Sequence, residues 1–144
     1  MISVAMCTYN GARFIEEQLR SILAQSTAVD EIVISDDGSV DATLDIATRV
    51  LETRPDIPHR TIRNEHSLGV AKNFEQAVLA TSGDLIVLSD QDDIWYPHRI
   101  ARAVERFEAE PRLWLLHADA RLVDADGAPL GASLFPALEA TDWE

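Results

Sequence analysis

One cysteine, Cys7, occurs in the 144 residues, so no intrachain disulfide is available and a reducing compartment is expected. Basic side chains are also scarce: 12 Lys and Arg stand against 25 Asp and Glu, a formal charge of -13. That imbalance opposes nonspecific adhesion to nucleic acid or to anionic lipid, and nucleic acid is not expected as a partner. No apolar run approaches the ~18 residues of a membrane span, and Met1 to Met6 carry no basic leader before their apolar residues. Cytoplasmic residence, without anchor or export, is the resulting expectation. There is no internal repeat, low-complexity tract or evident linker. The four histidines, His59, His66, His98 and His117, are too scattered for a zinc pattern.

What is present is the composition of an ordinary globular protein, 47% hydrophobic and 26% charged. A chain of this length can bury about two-thirds of its unfolded surface, and one domain over residues 1–144 is expected. Ile2 to Cys7 is a short apolar run that breaks at Thr8-Tyr9-Asn10-Gly11, the pattern of a buried strand ending in a turn. Phe14, Ile15, Leu19, Ile22 and Leu23 then recur at helical spacing. A second strand over Glu31 to Ser35 leads to Asp36-Asp37-Gly38-Ser39, after which Ser39 or Asp41 caps a helix with the stripe Leu44, Ile46, Ala47, Val50 and Leu51, ended by Pro55 and Pro58. His59 to Asn64 forms a weaker strand. Gly69 opens a helix burying Val70, Phe74, Ala77 and Val78, and Leu85 to Ser89 is the next strand. Pro97 suits the first turn of a helix carrying Ile100, Val104 and Phe107. Leu113 to Ala118 is strand-like again, and apolar patterning weakens after Gly131. Alternating strands and helices predict an α/β fold with a mainly parallel, Rossmann-like sheet covered on both faces.

Ser89-Asp90-Gln91-Asp92-Asp93-Ile94-Trp95 places three carboxylates within four residues directly after a predicted strand. Carboxylates so placed suit a hard cation such as Mg²⁺ or Mn²⁺, which takes oxygen ligands and shares them with substrate phosphates. The bland alternative is a solvated acidic turn before a helix cap. In parallel sheets ligands gather beyond the carboxyl ends of the strands, so Thr8-Tyr9-Asn10, Asp36-Asp37 and Asp90 to Asp93 should line one cleft. Within it Asn10 and Asp37 can bond the edge of a base, Asp36 or Asp90 can accept from ribose hydroxyls, Tyr9 can stack, and Asp92 can ligate the cation. Asn10 and Asp36 are equally common turn formers, and Tyr9 can simply cover the core. Trp95 either lines the acceptor side or packs beneath the following helix.

Ser3 to Gly11, then Asp36-Asp37-Gly38-Ser39 with Asp41 and Thr43, then Asn64, Gly69 and Asn73-Phe74, then Ser82-Gly83-Asp84 leading to Asp90 through Trp95, resemble the ordered motifs of family 2 glycosyltransferases. The resemblance covers roughly residues 1 to 127, and Ser-Asp-Gln-Asp-Asp-Ile-Trp with the Asn-Phe pair is most similar to the rhamnosyltransferase branch, whose donors are often dTDP-rhamnose. It implies a GT-A fold and transfer of a sugar from a nucleoside diphosphate to an acceptor hydroxyl with inversion, in the synthesis of cell-surface polysaccharide. The implied partners are the nucleotide-sugar donor and a glycan or lipid-linked acceptor, with peripheral membrane association left to regions outside this chain. By position, Thr8, Tyr9, Asn10, Asp36, Asp37 and Asp90 fall in nucleotide-sugar segments, and Asp90 and Asp92 match the D-x-D motif, with Asp92 the expected direct ligand of Mg²⁺ or Mn²⁺. Lys72 stands where relatives often carry arginine, and a lysine lacks arginine's planar fork.

The resemblance places the catalytic base after the hairpin region around Asp119 and Asp124 to Gly127, beyond Glu144, so a chain truncated at its C-terminus is expected. Asp119 is the candidate within reach to face sugar or acceptor, whereas Glu139, Asp142 and Glu144 belong to a polar terminus. Two other functions compete. A noncatalytic nucleotide-sugar binding module would lack a base, and a metal-dependent nucleotidyltransferase would need a Gly-rich basic loop, of which Thr8 to Phe14 supplies only Gly11 and Arg13.

Overall fold

The computed structural model describes residues 1–137. They fall into two compact units, Met1–Arg106 and a second beginning at Phe107. In the first, β1 (Ile2–Thr8), β2 (Glu31–Asp36), β3 (His59–Arg63) and β4 (Leu85–Ser89) form a parallel sheet in the order β3-β2-β1-β4. Helices α1 (Ile15–Leu23), α2 (Thr43–Leu51) and α3 (Val70–Leu79) connect successive strands, and α4 (Arg99–Ala109) follows β4.

The side-chain period of two divides β1 and β2 between the faces of the sheet. Val4 and Met6 of β1 and Ile32 and Ile34 of β2 join Ile15, Leu19 and Ile22 of α1, Ala47, Val50 and Leu51 of α2, and Trp95 and Ile100 in one core. Ala5 and Cys7 point the other way, where Ala77 of α3 packs with Phe74 and Val78. Small residues on this second face let α3 approach closely. Each fully buried Ile or Leu contributes on the order of 2 kcal/mol through apolar burial.

Four local expectations need correction. Val70 is not a core residue but 74% exposed, because Asn73 takes the inward position in the first turns of α3 and bonds Ser35 of β2. Strand β4 is not buried throughout: Ile86 and Leu88 pair with Ser3 and Ala5 on the α3 face but remain exposed, since α3 lies over β1 and β2. Ser39 does not cap α2. The N–H of Thr43, the first residue of that helix, instead donates to Asp41 (3.0 Å), while Ser39 bonds Asp36. Leu113 to Ala118 forms no strand, although Leu113, Trp114, Leu115 and Leu116 are apolar. An apolar run becomes a strand only when a neighbouring edge takes up its N–H and C=O groups, and no such ladder exists among the described residues, where Trp114 is 94% exposed.

In the second unit β5 (Arg121–Val123) pairs antiparallel with β6 (Pro129–Ser133), followed by the short α5 (Leu134–Ala137). The turn between the strands is tied by Asp124, whose carboxylate accepts from the Asp126 and Ala128 N–H groups. Glu139, Asp142 and Glu144 lie outside the described residues.

Candidate functional site

Because the four strands are parallel and in close register, Thr8 opposite Asp36, Asp36 opposite Arg63, and Met6 opposite Ser89, the loops that follow them emerge along one edge. Chain order reverses between β1 and β4, since β2 and β3 extend the sheet to one side and β4 to the other. Such a reversal opens a crevice at the carboxyl ends of the two strands. The Cys7 thiol, one residue before the end of β1, registers what surrounds that crevice. Burial, and then the charges of Asp90 and Asp37, push it up to about 12, so the loops after β2 and β4 both direct negative charge toward β1.

The two acidic residues of the second loop are deeply engaged. Asp36 has no exposed surface. Its Oδ1 accepts from the hydroxyls of Thr8 (2.7 Å) and Ser39 (2.5 Å), and its Oδ2 from the N–H groups of Ser39 (2.9 Å) and Gly38 (3.2 Å). Asp37 reaches the other way and gathers the loop after β3. Oδ1 accepts from Leu68 N–H (2.7 Å) and Asn64 Nδ2 (3.1 Å), and Oδ2 from the Ser67 hydroxyl (2.6 Å) and Gly69 N–H (3.0 Å). Gly69 is the N-cap of α3 at φ +81°, a left-handed conformation that suits glycine, so the carboxylate fixes both a turn and a helix start. Asn64 in turn donates to Asn73 (3.1 Å), which joins this loop to α3.

Burial raises the Asp37 carboxyl, but hydrogen bonds from Ser67, Leu68, Asn64 and Gly69 together hold it below its ordinary 3.8. A carboxyl depressed in the folded state contributes stability that is complete above its unfolded value and is lost as pH falls through the folded one. Urea unfolding of the protein should therefore weaken between about pH 5 and pH 2, and Asp37→Asn, which costs on the order of 1–2 kcal/mol at neutral pH, should flatten that slope. An unchanged slope in the variant would remove Asp37 from the acid sensitivity.

The first loop is held from the second. Asn10 sits at φ +49°, with its N–H donating to Ser39 Oγ (2.9 Å) and its Oδ1 accepting from Val40 N–H (2.9 Å). Gly11 N–H donates to Thr43 Oγ1 (2.8 Å), and Ala12 N–H to Asp41 (3.1 Å). Thr8 is buried with its hydroxyl on Asp36, whereas Tyr9 is 56% exposed and its ring is available to a ligand. The fourth loop touches the first through Gln91: its Oε1 accepts from Tyr9 N–H (2.9 Å) and its Nε2 donates to Tyr9 C=O (3.0 Å). The sequence shows neither this pairing nor the Asn64-Asn73 link, because both join residues remote along the chain or of unremarkable type.

Asp90, Asp92 and Asp93 are all exposed. Crowding by protein, then the charges of Asp93 and Asp92, raise the Asp90 carboxyl above its ordinary value. Asp93 is raised by crowding and Asp92, with Arg99 opposing. Arg99 lies 4.7 Å above the Trp95 ring, and Trp95 is buried in the main core, so of its two expected placements this tryptophan takes the one beneath α4. From below, Gln18 fixes the loop by turning its side-chain oxygen toward the Ser89 hydroxyl (2.6 Å) and the Trp95 indole N–H (3.1 Å). Asp92 is left over: no donor among the described residues bonds its carboxylate. The donor set is carboxylate oxygen alone, which fits a hard divalent cation, and no group of three or more ligating side chains is gathered among the described residues. One or two carboxylates with the remaining positions open is how Mg²⁺ is commonly held beside phosphates.

Lys72 is exposed in the first turns of α3 and lines an open groove of about 440 Å³ with Arg60, Ile62, Leu68 and Gln76. That groove runs between β3 and α3, and none of Asp36, Asp37, Asp90, Asp92 and Asp93 lines it. Asp119 lies in the second unit, where its Oδ1 accepts from the N–H groups of Phe135 and Ala120 (both 2.9 Å). The Phe135 N–H, then Ser133, hold its carboxyl below the ordinary value, which makes it a weak proton acceptor.

The sequence model described as Glycosyl transferase family 2 matches residues 3–128. The chain belongs to that family. An uncharacterized glycosyltransferase of Nostoc sp. is 35% identical over 116 residues, covering 81% of this chain and 35% of the relative. The dTDP-rhamnosyl transferase RfbG of Shigella flexneri is 40% identical over 103 residues, covering 69% and 36%. Among solved structures, the mannosyltransferase PcManGT from Pyrobaculum calidifontis in complex with GDP-Man and Mn²⁺ superposes with a TM-score of 0.71 at 32% identity, covering 76% of this chain and 32% of that one. TarS 1-349 of S. aureus in complex with UDP gives a TM-score of 0.66 at 27% identity, covering 75% and 32%. The chain thus spans about a third of the length of its relatives, and its parallel sheet is of the GT-A type. Family 2 membership sets aside the nucleotidyltransferase alternative. No helix among the described residues is long and apolar enough to cross a membrane.

Proposed function

We propose that this chain is the donor-binding part of an inverting glycosyltransferase that transfers a sugar from a nucleoside diphosphate to an acceptor hydroxyl. The observation that carries this reading is Asp92: an exposed carboxylate without a donor among the described residues, on a loop held against the loop after β1. Neighbours in complex with GDP-Man and Mn²⁺, or with UDP, support a nucleotide-sugar donor and a divalent cation. The 40% identity to the dTDP-rhamnosyl transferase RfbG favours dTDP-rhamnose as donor. A cell-surface glycan or its lipid-linked precursor is the acceptor we propose beside it.

In this reading Tyr9 stacks on the base and Thr8 and Asn10 shape its seat. Asp36 and Asp37 fix the walls of the nucleotide pocket through the bonds they already make, and Asp90 accepts from the ribose or assists the cation. Lys72, which lines the groove between β3 and α3, is assigned to the donor by motif position alone and would supply charge without bidentate geometry. Asp92, with Asp90, holds Mg²⁺ or Mn²⁺. When bound, the cation supplies positive charge beside the diphosphate as negative charge grows there.

In a thermal-shift panel, UDP, GDP and dTDP should each stabilise the protein more with Mn²⁺ than without it, and the preferred base should give the largest shift. Equal shifts with and without metal would contradict the role given to Asp92. Turnover of a labelled nucleotide sugar by this polypeptide would separate a transferase from a noncatalytic binding module.

A further inference from the structure

Gln91 occupies the middle of the acidic loop, yet its side chain turns away from the three aspartates and closes on the backbone of Tyr9. A primary amide offers an acceptor and two donors in a plane, and the N–H and C=O of one residue, which belong to its two flanking peptide units, offer the complementary pair. Both bonds form here, Tyr9 N–H to Oε1 at 2.9 Å and Nε2 to Tyr9 C=O at 3.0 Å, across 82 positions of sequence. Gln91 thus continues beyond the sheet the pairing that β1 and β4 make inside it, where Met6 is the last residue of β1 to face β4, opposite Ser89.

Gly11 completes the arrangement. Its φ lies outside the left-handed region, so its own backbone would accept alanine. A Cβ there would nevertheless overlap the Gln91 amide, whose Oε1, Cδ and Cγ are the three nearest atoms. Glycine at this position makes room for the clasp and not for an unusual turn.

We infer that Gln91 is a positioning residue that locks the loop bearing Tyr9 and Asn10 to the loop bearing Asp90 and Asp92, so that occupation of one side of the crevice by a base favours occupation of the other by a cation. The inference rests on the donor-site reading above. Its chemistry is mechanical: both amide heavy atoms are engaged by the Tyr9 backbone, and the effect passes through the relative placement of two loops. Such coupling is reciprocal, so metal must tighten nucleotide and nucleotide must tighten metal by the same factor.

The test measures the affinity of UDP, GDP and dTDP by calorimetry with and without Mn²⁺, for the wild type, Gln91→Ala, Gly11→Ala and the double variant, with urea unfolding of all four. Gln91→Ala should cut the factor by which Mn²⁺ tightens the best nucleotide by about tenfold, the order expected for one to two net hydrogen bonds. Gly11→Ala should do the same by expelling the amide. In the Gln91→Ala background, Gly11→Ala should cost nothing further in coupling or stability, because the atoms it would strike are gone. Gln91→Glu can accept from Tyr9 N–H but cannot donate to Tyr9 C=O, and should not restore the coupling. A wild type whose nucleotide affinity is unaffected by Mn²⁺ would overturn the donor-site reading itself. A coupled wild type with undiminished coupling in Gln91→Ala, or additive losses in the double variant, would overturn the clasp alone.

Discussion

Asp36→Ala should unfold the protein at far lower urea concentration, with a loss on the order of 4 kcal/mol. The carboxylate is wholly buried and serves four donors, the hydroxyls of Thr8 and Ser39 and the N–H groups of Gly38 and Ser39. Alanine leaves those donors facing a small void, and an unsatisfied buried donor costs roughly 1–3 kcal/mol. Asp36→Asn should be milder. The remaining oxygen can keep the two backbone N–H groups while the new NH₂ donates to the two hydroxyls, which accept as well as donate. The Thr8 and Ser39 O–H groups then lose the acceptor they now use, so the exchange is incomplete and about 1–2 kcal/mol should still be lost. Equal destabilisation by alanine and asparagine would show that charge, and not the count of bonds, holds this loop.

Asp92→Asn should behave oppositely, leaving the fold untouched and removing the response to metal. The side chain is exposed and no described residue hydrogen-bonds it, so unfolding should move by less than about 0.5 kcal/mol. An amide in place of a carboxylate lowers the negative charge that a divalent ion sees and offers only one oxygen. Removing an outer-shell partner of a metal ligand commonly costs about 10–100-fold in affinity. A direct ligand should exceed that, so the gain in nucleotide affinity from Mn²⁺ should vanish in calorimetric titration while metal-free affinity stays the same. Retention of the gain would move the ligand role to Asp90 or Asp93, which the surrounding protein and neighbouring charges already hold above the ordinary carboxylate range.

The order of elements was legible because punctuation and periodicity agree along the first 106 residues. Asn10-Gly11, Asp37-Gly38 and Ser82-Gly83 each interrupt an apolar run, and the stripes of α1 and α2 face the core as their spacing predicts. Sheet order and exposure were not legible, since they depend on which neighbour arrives. Val70 has the residue type of a core position but Asn73 holds the inward place, and Leu113 to Ala118 has strand composition without a pairing edge among the described residues.

At the site, the convergence of loops followed from parallel strands alone. The division of labour among the aspartates did not. Asp36 ends a strand and Asp37 and Asp92 follow one, all in acidic pairs, and residue type alone does not rank them; only the D-x-D resemblance singled out Asp92. In the fold, Asp36 and Asp37 meet four donors each and become scaffolding, while Asp92 meets none among the described residues and stays available. Gln91 escaped notice for a related reason: its partner is a backbone, and any residue type at position 9 would offer the same two groups.

The central claim is that one cation site lies where the loops after β1 and β4 meet. Paramagnetic broadening of backbone amide signals by substoichiometric Mn²⁺, with a saturating nucleoside diphosphate present, measures this directly. Signals of residues 8–11 and 90–94 should broaden first and together, and Asp92→Asn should abolish the effect. Broadening that spares residues 8–11, or that begins at the acidic surface around Glu105, Glu108 and Glu110, would contradict the account.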